Sequence, residues 1–252
     1  MRLLGDYHTH TVYTHGKGTI RENVEQAIKL GLKEIAITEH NYAHMFCHIW
    51  KGDLEKMKAE VDELRAEYGD KIKIYMGIEA NLISTAGDSD VKDSDRDLLD
   101  MMVLGYHKLF WPKRLSDWFT MFIPNLLKIG KFSKKLVDRN TNAYLQAMDK
   151  YNISTIAHLK YGNCYVDVKK IAEKAKEKHI YIELNGRRIL FTPKEIQDMV
   201  DTGVMFIVDS DAHHPLDVGK NHRGINIIEK YGIPISQVAN IDKLPDFTKA
   251  TY

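Results

Sequence analysis

Seven short apolar segments alternate with amphipathic stretches along this chain of 252 residues. The segments have the length of buried strands, and the stretches between them repeat apolar residues at the spacing of a helix. We predict strands at residues 3–7, 34–38, 72–78, 101–106, 153–157, 180–184 and 204–208, and helices at 21–30, 53–68, 134–151, 168–178 and 193–201. Repeated strand–helix units predict an α/β protein with a parallel sheet.

The number of units indicates how the sheet is arranged. Seven strand–helix units in one chain favour a closed or nearly closed barrel. A doubly wound open sheet is the alternative, but it requires a glycine-rich phosphate loop after the first strand. Tyr7-His8-Thr9-His10 stands there instead. The sequence shows no linker, internal repeat or low-complexity tract, so residues 1–252 are predicted to form a single domain.

Histidines or acids follow six of the seven predicted strands. They are His8 and His10, Glu39 and His40, Glu79, His107, His158, and Asp209, Asp211 and His213, whereas the sixth strand ends in Asn185 and is followed by Arg187 and Arg188. In a barrel these strand ends share the rim where barrel enzymes carry their active sites. Six coincidences of this kind are hard to explain by packing alone, so we predict a metal site on that rim.

The spacing of the histidines supports the same prediction. Residues two apart in an extended segment point to the same side, so His8 and His10 can bind one ion together, as can Asp211 and His213. Imidazole with neighbouring carboxylates suits zinc, manganese or iron. A carboxylate such as Glu79 can bridge two ions. His15 lies in the loop after the first strand, and position alone leaves its role open.

One segment departs from the strand–helix pattern. Residues 108–135 form an aromatic insertion with seven basic residues and one acid, a formal charge of +6 in a chain whose total is +1. Trp118, Phe122 and Leu126 recur at four-residue steps and predict a short helix. The insertion leaves the barrel at the active-site rim, and we expect a lid over the metals, with a dimer contact or a membrane-surface contact as the alternatives.

Four blocks of sequence resemble the PHP superfamily, the polymerase and histidinol phosphatase group. They are DYHTHTVYTHGKGT from Asp6, AITEH from Ala36, GIEAN from Gly77 and SDAHHP from Ser210, with GYH at His107 and IAH at His158. The resemblance spans about residues 3–225 and is closest to the small stand-alone bacterial phosphatases of the group. It implies a distorted seven-stranded β/α barrel of the PHP type.

The resemblance also implies a ligand set for two to three divalent metal ions, usually zinc, with manganese or iron also used. One ion would be held by His8, His10, Glu79 and Asp211. Glu79 would bridge to a second ion held by His107 and His158, and His15, His40 and His213 would hold a third. The resemblance thus places His15 among the ligands.

The chain departs from its relatives at two places on the rim. Leu159-Lys160 stands where relatives often have Pro-Gly, and Gly186-Arg187-Arg188 stands where they tend to have small polar residues. Lys160, Arg187 and Arg188 are therefore candidate substrate-binding residues, since arginine fits a phosphate with two-point geometry. Because these departures alter the rim, the family's substrates do not transfer directly.

These features predict a metal-dependent phosphoesterase that hydrolyses a small phosphomonoester through a metal-activated hydroxide. Glu79 and Asp211 are the candidate catalytic residues, and Asp211 is the candidate partner of the attacking water. The alternatives are a metal-dependent nuclease, in which the basic insertion tracks a polynucleotide, a histidinol-phosphate phosphatase as the narrower assignment, and a non-catalytic metal-binding module. A homo-oligomer is compatible with all of these.

The sequence carries no pattern of a targeting or membrane segment. The first ten residues lack the basic-then-apolar order of a signal peptide. No uncharged apolar run approaches the ~18 residues that span a bilayer. We therefore expect a cytoplasmic protein.

Overall fold

A computed structural model of the protein describes residues 1–130 and 132–247. Seven parallel strands form one sheet in chain order: β1 (Gly5–Asp6), β2 (Glu34–His40), β3 (Lys73–Asn81), β4 (Met101–Gly105), β5 (Thr155–Ile156), β6 (Tyr181–Asn185) and β7 (Phe206–Asp209). The α-helices of these residues are α1 (Ile20–Leu30), α2 (Asp53–Tyr68), α3 (Leu115–Asp117), α4 (Ile123–Leu126), α5 (Lys134–Lys150), α6 (Val168–Glu177), α7 (Pro193–Thr202) and α8 (His222–Tyr231). The predicted parallel α/β architecture is confirmed.

The sheet curls into a nearly closed barrel because its first and last strands meet at the carboxyl end. The backbone N–H of Tyr7 donates to Asp209 Oδ1 over 2.7 Å, and Thr9 forms a parallel bridge with Ala212. The N–H of His10 then donates to the carbonyl of Ala212 over 2.8 Å. The segments that carry candidate ligands after β1 and β7 are therefore hydrogen-bonded to each other.

Alternation along β3 shows how one strand serves both the core and the site. Ile74, Met76, Ile78 and Ala80 are buried in the layer between the strands and the helices. Tyr75 points to the other face, into a smaller apolar cluster inside the barrel. Because side chains alternate along a strand, Glu79 shares the inner face with Tyr75. The barrel interior thus changes from apolar to ionisable toward the carboxyl end.

The helices begin and end at the residues that the sequence suggests. Thr19 caps α1 in a reciprocal capping box with Glu22, and Gly31 ends the helix with a φ of 74°. Thr192 and Glu195 form the same box before α7, with Pro193 in the first turn. Each such cap stabilises a protein by about 1 kcal/mol, so these helices are fixed independently of the site.

The strands differ in length from the prediction, and one helix was missed. β1 and β5 each have two residues instead of five, whereas β3 continues past Glu79 to Asn81. The missed helix is α8, whose sequence contains the poor helix former Gly224. A Cβ on Gly224 would lie 2.6 Å from Val208 Cγ1, so the glycine lets α8 pack closely against β7.

The basic aromatic insertion packs on the barrel. Helical turns run from Leu115 to Leu126, with a π-helical turn at Trp118–Phe122, which confirms the predicted short helix. Phe122 is buried against Phe110, with ring centroids 5.3 Å apart. Leu115 and Phe119 are exposed. One basic residue of the insertion, Lys131, lies outside the described residues.

The described helices were also compared with the length and polarity that a bilayer requires. No helix in residues 1–130 or 132–247 is long and apolar enough to cross a membrane.

Candidate metal centre

The carboxyl ends of the strands bring all the predicted ligands to one pocket. His8 and His10 follow β1, His40 ends β2, Glu79 lies near the end of β3, and His107 and His158 follow β4 and β5. The pocket has a volume of about 130 Å³. Its lining includes seven of the nine predicted ligands, His15, His40, Glu79, His107, His158, Asp211 and His213. The remaining two, His8 and His10, are buried, with their Nε2 atoms 3.3 Å and 3.5 Å from Glu79 Oε2.

Glu79 is the centre of this arrangement, with no exposed surface. Its Oε1 lies 2.6 Å from His158 Nε2 and 3.1 Å from His107 Nε2. Its Oε2 lies 2.7 Å from His40 Nδ1 and 3.3 Å from His8 Nε2. Oε2 also lies 3.5 Å from His10 Nε2. The two carboxylate oxygens thus face separate groups of imidazoles, which is the geometry that a bridging carboxylate requires.

Two polar side chains behind the ligands fix the orientation of the imidazole rings. His8 Nδ1 lies 2.7 Å from Glu183 Oε1, and His107 Nδ1 lies 2.6 Å from Asn81 Oδ1. Since each acceptor takes the Nδ1 proton, Nε2 carries the lone pair that points toward Glu79. Metal-ligating histidines characteristically have such a partner on the other ring nitrogen.

The electrostatics of the pocket favour a bound cation. Burial alone would raise the pKa of the Glu79 carboxyl, but the surrounding histidines, with His107 the strongest, hold that pKa well below its usual range. Burial, with help from His40, lowers the pKa of His10 well below its ordinary value. Burial also lowers the pKa of His15 to about 4. The charged Glu79 carboxylate and the neutral His10 and His15 thus have the protonation state that metal ligands need. Burial opposes protonation of His8, but Glu183 and Glu79 hold its pKa well above the ordinary value, so a metal ion would displace a proton there.

The unpartnered atoms of the pocket show that a metal fits. Among residues 1–130 and 132–247, buried nitrogens of His8, His10, His40 and His158 and Glu79 Oε2 form no well-aligned hydrogen bond, although His40 Nδ1 lies 2.7 Å from Glu79 Oε2. An unpaired buried polar group costs about 1–3 kcal/mol, so a cluster of them requires a further partner. Four groups of three ligand atoms lie within 4.8 Å of one another: His8–His10–Asp211, His8–Glu79–His158, His40–Glu79–His107 and His10–His40–His213.

These groups can be compared with the ligand sets that the resemblance implies. The group of His8, His10 and Asp211 matches the first set, and the approach of His107 and His158 to one oxygen of Glu79 matches the second. The third implied set is His15, His40 and His213. In the structure, His40 and His213 form a group with His10 instead of His15. His15 lies beside this group, with its ring centroid 4.2 Å from that of His213 and 4.9 Å from that of His40.

The backbone is strained at two of the ligand positions. His158 has a φ of 27° and Asp211 a φ of 53°, which side-chain-bearing residues seldom adopt. Strain of this kind is concentrated at functional sites. The positive φ also means that Asp211 and His213 do not follow the alternation expected of an extended segment, although His213 Nδ1 still lies 3.3 Å from Asp211 Oδ1.

The three candidate substrate-binding residues occupy different positions. Arg187 lines the metal pocket, and its Nη1 donates to His213 Nδ1 over 2.7 Å and lies 3.6 Å from Asp211 Oδ1. Arg188 lines both this pocket and a neighbouring one. Lys160 lines only the neighbouring pocket, where its Nζ donates to Glu195 Oε2 over 2.7 Å.

Four residues of the site were not assigned a role from the sequence: Asn81, Glu183, His44 and Tyr161. Asn81 and Glu183 each lie two residues from a recognised strand-end position, so alternation along β3 and β6 could have placed both on the inner face. Glu183 comes from β6, the one strand of the seven with no histidine or acid at its end or in the few residues that follow. His44 lines the pocket from the loop after β2 and stacks on His40 at a centroid distance of 4.8 Å. No periodic signal marks a loop residue of this kind.

Replacing Glu183 with glutamine should weaken metal binding without unfolding the barrel. Glu183 Oε1 orients the His8 ring, and Oε2 accepts the backbone N–H of His158 over 2.6 Å. Loss of such a supporting partner typically lowers metal affinity about 10–100-fold. Competition with a chelator measures this loss, and Glu173→Gln, on the outer helix α6, is the control. Equal metal affinity in Glu183→Gln and the wild type would contradict this role.

Comparisons with known proteins identify relatives of this chain. A sequence model of the PHP domain matches residues 6–187. The chain is 26% identical over 262 residues to a probable phosphatase of Thermoanaerobacter sp. (strain X514), covering 99% of this chain and 96% of the relative. It is 25% identical over 264 residues to a probable phosphatase of Clostridium acetobutylicum, covering 99% and 96%. Asp211 and His213 follow the matched range, and the structure places both beside His10.

A solved structure shows the same fold. Histidinol phosphate phosphatase from Lactococcus lactis, crystallised with zinc, L-histidinol and phosphate, superposes with a TM-score of 0.58 at 19% identity, covering 99% of this chain and 98% of that chain. The chain belongs to the PHP domain family. The class of enzyme that the family and its phosphatase relatives support is a hydrolase of phosphate esters.

Proposed function

We propose that this protein is a metal-dependent phosphatase that hydrolyses a small phosphomonoester at a site of two to three divalent ions. The observation that carries the proposal is the buried carboxylate Glu79 with imidazole nitrogens at both of its oxygens. Zinc is the metal we propose, because imidazole and carboxylate ligands suit it, and manganese or iron would suit the same donors.

The proposed roles divide the site into ligands and substrate contacts. Bound divalent ions would activate a water molecule and neutralise charge on the phosphoryl group. The ligands are the nine residues His8, His10, His15, His40, Glu79, His107, His158, Asp211 and His213. Asp211 lies at the pocket lining with 8% of its surface exposed, so its carboxylate can both bind an ion and accept a proton from the attacking water.

Arg187 and Arg188 are proposed to hold the substrate. Both guanidinium groups line the metal pocket. A phosphoryl group bound there would give Arg187 a second anionic partner besides Asp211, in place of the contact that it makes with His213. Charge-assisted contacts from arginine are about twice as strong as neutral hydrogen bonds and fix the orientation of a phosphate.

The size of the pocket favours a monoester over a polynucleotide. Its volume of about 130 Å³ is below the roughly 300 Å³ at which pockets for drug-sized ligands begin. Such a pocket holds a phosphoryl group, and the rest of a small substrate would lie outside it. The histidinol-phosphate assignment rests on likeness of fold to the Lactococcus lactis enzyme and stays a hypothesis. The lid prediction also stays open, because no residue of the described range 109–130 lines the metal pocket.

A substrate panel tests the proposal. Protein loaded with zinc or manganese should release phosphate from small alkyl and aryl phosphomonoesters, whereas a labelled single-stranded oligonucleotide should remain intact. Protein stripped with a chelator is the control and should regain activity when metal is returned. Cleavage of the oligonucleotide with no turnover of any monoester would instead establish the nuclease alternative.

A further inference from the structure

A second pocket opens directly beside the metal pocket. This side pocket has a volume of about 300 Å³ and is lined by Lys108, Lys160, Tyr161, Tyr165, Arg188 and Leu190, among others. Tyr161 and Arg188 line both pockets. The Tyr161 ring centroid is 5.2 Å from that of His158, a proposed ligand. A phosphate bound at the metals would therefore extend its leaving group into the side pocket.

The side pocket carries positive charge that the protein itself does not neutralise. Lys160 is buried and paired with Glu195, so its charge is compensated. Lys108 and Arg188 are exposed. Within residues 1–130 and 132–247, neither has a carboxylate within ion-pair distance. The ammonium of Lys108 lies 5.8 Å from the centroid of the Tyr161 ring, and the guanidinium of Arg188 lies 4.5 Å from it.

The two cations determine which leaving groups the side pocket can accept. A carboxylate or a second phosphate between Lys108 and Arg188 would gain two charge-assisted contacts. An amine, such as the one that L-histidinol carries, would face two like charges, and like-charge contacts disfavour a ligand. Tyr165 and Leu190 supply apolar surface for the carbon chain between the two charged ends.

We propose, on the basis of the proposed phosphatase function, that the substrate is a phosphomonoester whose leaving group carries a second anionic group. Lys108 and Arg188 bind that group in the side pocket, and the ester phosphate lies at the metal centre. The shared chemistry is an anion at the far end of a short carbon chain, either a carboxylate or a second phosphate. Histidinol phosphate does not fit this requirement, because its leaving group is cationic.

Four phosphate esters with the same three-carbon chain test the proposal. They are propyl phosphate, 3-aminopropyl phosphate, 3-phosphooxypropanoate and propane-1,3-diyl bisphosphate, which differ in the charge of the far end. We expect kcat/KM for the carboxylate or the bisphosphate ester to exceed that of propyl phosphate on the order of tenfold, and the amine to be the poorest substrate. Whichever anionic ester has the higher kcat/KM identifies the kind of group that the side pocket binds.

Matched variants assign the preference to the side pocket. In the double variant Lys108→Gln/Arg188→Gln, the ratio of kcat/KM for the anionic ester to kcat/KM for the neutral ester should fall toward one. Lys29→Gln removes a charge from the exposed outer face of α1 and should leave that ratio unchanged. An amine or neutral ester turned over as well as the anionic esters would overturn the side-pocket proposal while the phosphatase function stands.

A binding measurement separates this proposal from the catalytic one. Calorimetry should show that 4-phosphonobutanoate binds metal-loaded protein more tightly than butylphosphonate, and that the double variant loses the difference. If none of the four esters is hydrolysed, the phosphatase proposal fails, and the phosphonates still decide the side pocket. Equal binding of the two phosphonates to the wild-type protein would contradict it.

Discussion

Replacing Glu79 with glutamine is expected to lower kcat/KM for a phosphomonoester on the order of 100-fold or more. The substitution keeps the shape of the side chain but removes the charge at its centre and places an amide N–H₂ where one carboxylate oxygen stood. Glu79 Oε1 faces His107 and His158, and Oε2 faces His40 and His8. One change therefore disturbs both sides of the site, and its cost should exceed that of changing a single outer histidine such as His15.

The matched control for this variant is His179→Asn. His179 precedes β6 and lines a pocket with Gly203 and Met205, which precede β7, so it lies at the amino end of the barrel, away from the metals. Asparagine tolerates the positive φ of 58° at this position. Steady-state kinetics on the two folded variants make the comparison. If His179→Asn reduced turnover as much as Glu79→Gln, the assignment of the active-site rim would be wrong.

A methyl group at Gly105 should abolish most of the activity while the barrel stays folded. A Cβ built on Gly105 would lie 2.8 Å from His158 Cε1, 3.0 Å from Glu79 Oε1 and 3.3 Å from His107 Cε1, all three of them proposed ligands. Its φ lies outside the left-handed region, so alanine fits the backbone. The conflict is thus confined to the ligands, and we expect Gly105→Ala to lose the ion held by Glu79, His107 and His158 and about 100-fold in kcat.

Gly77→Ala is the control for Gly105→Ala. It adds a methyl group on β3, where the nearest atoms are Met101 Cγ and Thr38 Cγ2, each at 2.9 Å. Overpacking of this kind costs about 1–3 kcal/mol in the free energy of unfolding but does not touch a ligand. Elemental analysis and thermal unfolding of both variants distinguish the effects. A Gly105→Ala protein with full metal content and normal turnover would show that the ligands do not lie where the structure has them.

The grouping of the side chains that follow the strands could be predicted from the sequence, because the carboxyl ends of parallel strands share one edge of the sheet. His8, His107 and His158 needed only the order of strands and helices to be placed together. The position of His15 relative to His213 could not be obtained in this way, because both lie in loops, and loops have no periodicity. For His15 the family resemblance supplied the information that spacing lacked.

The supporting residues could not be assigned in advance for a different reason. Asn81 and Glu183 are recognisable as inward-facing from strand alternation, but their function depends on distances of 2.6 Å and 2.7 Å to particular imidazole nitrogens. Such distances depend on how neighbouring strands are staggered. The helix α8 was missed because Gly224 lowers helix propensity locally, while the packing of α8 on β7 compensates for it.

The side pocket could not be predicted from the sequence. The rim residues Lys160, Arg187 and Arg188 were recognisable as departures from the family pattern. Their separation into a metal pocket and a side pocket was not, because it depends on Tyr161 standing between them and on Glu195 reaching Lys160 from α7. The charge of a pocket depends on such pairings as much as on the residues that line it.

The metal content of the purified protein tests the central claim most directly. Protein prepared in chelator-free buffer should retain two to three transition-metal ions per chain by elemental analysis, because seven histidines and two acids converge on one pocket. Glu79→Gln should retain fewer than the wild type. Less than one equivalent in the wild-type protein, with none regained on soaking in zinc or manganese, would contradict the account.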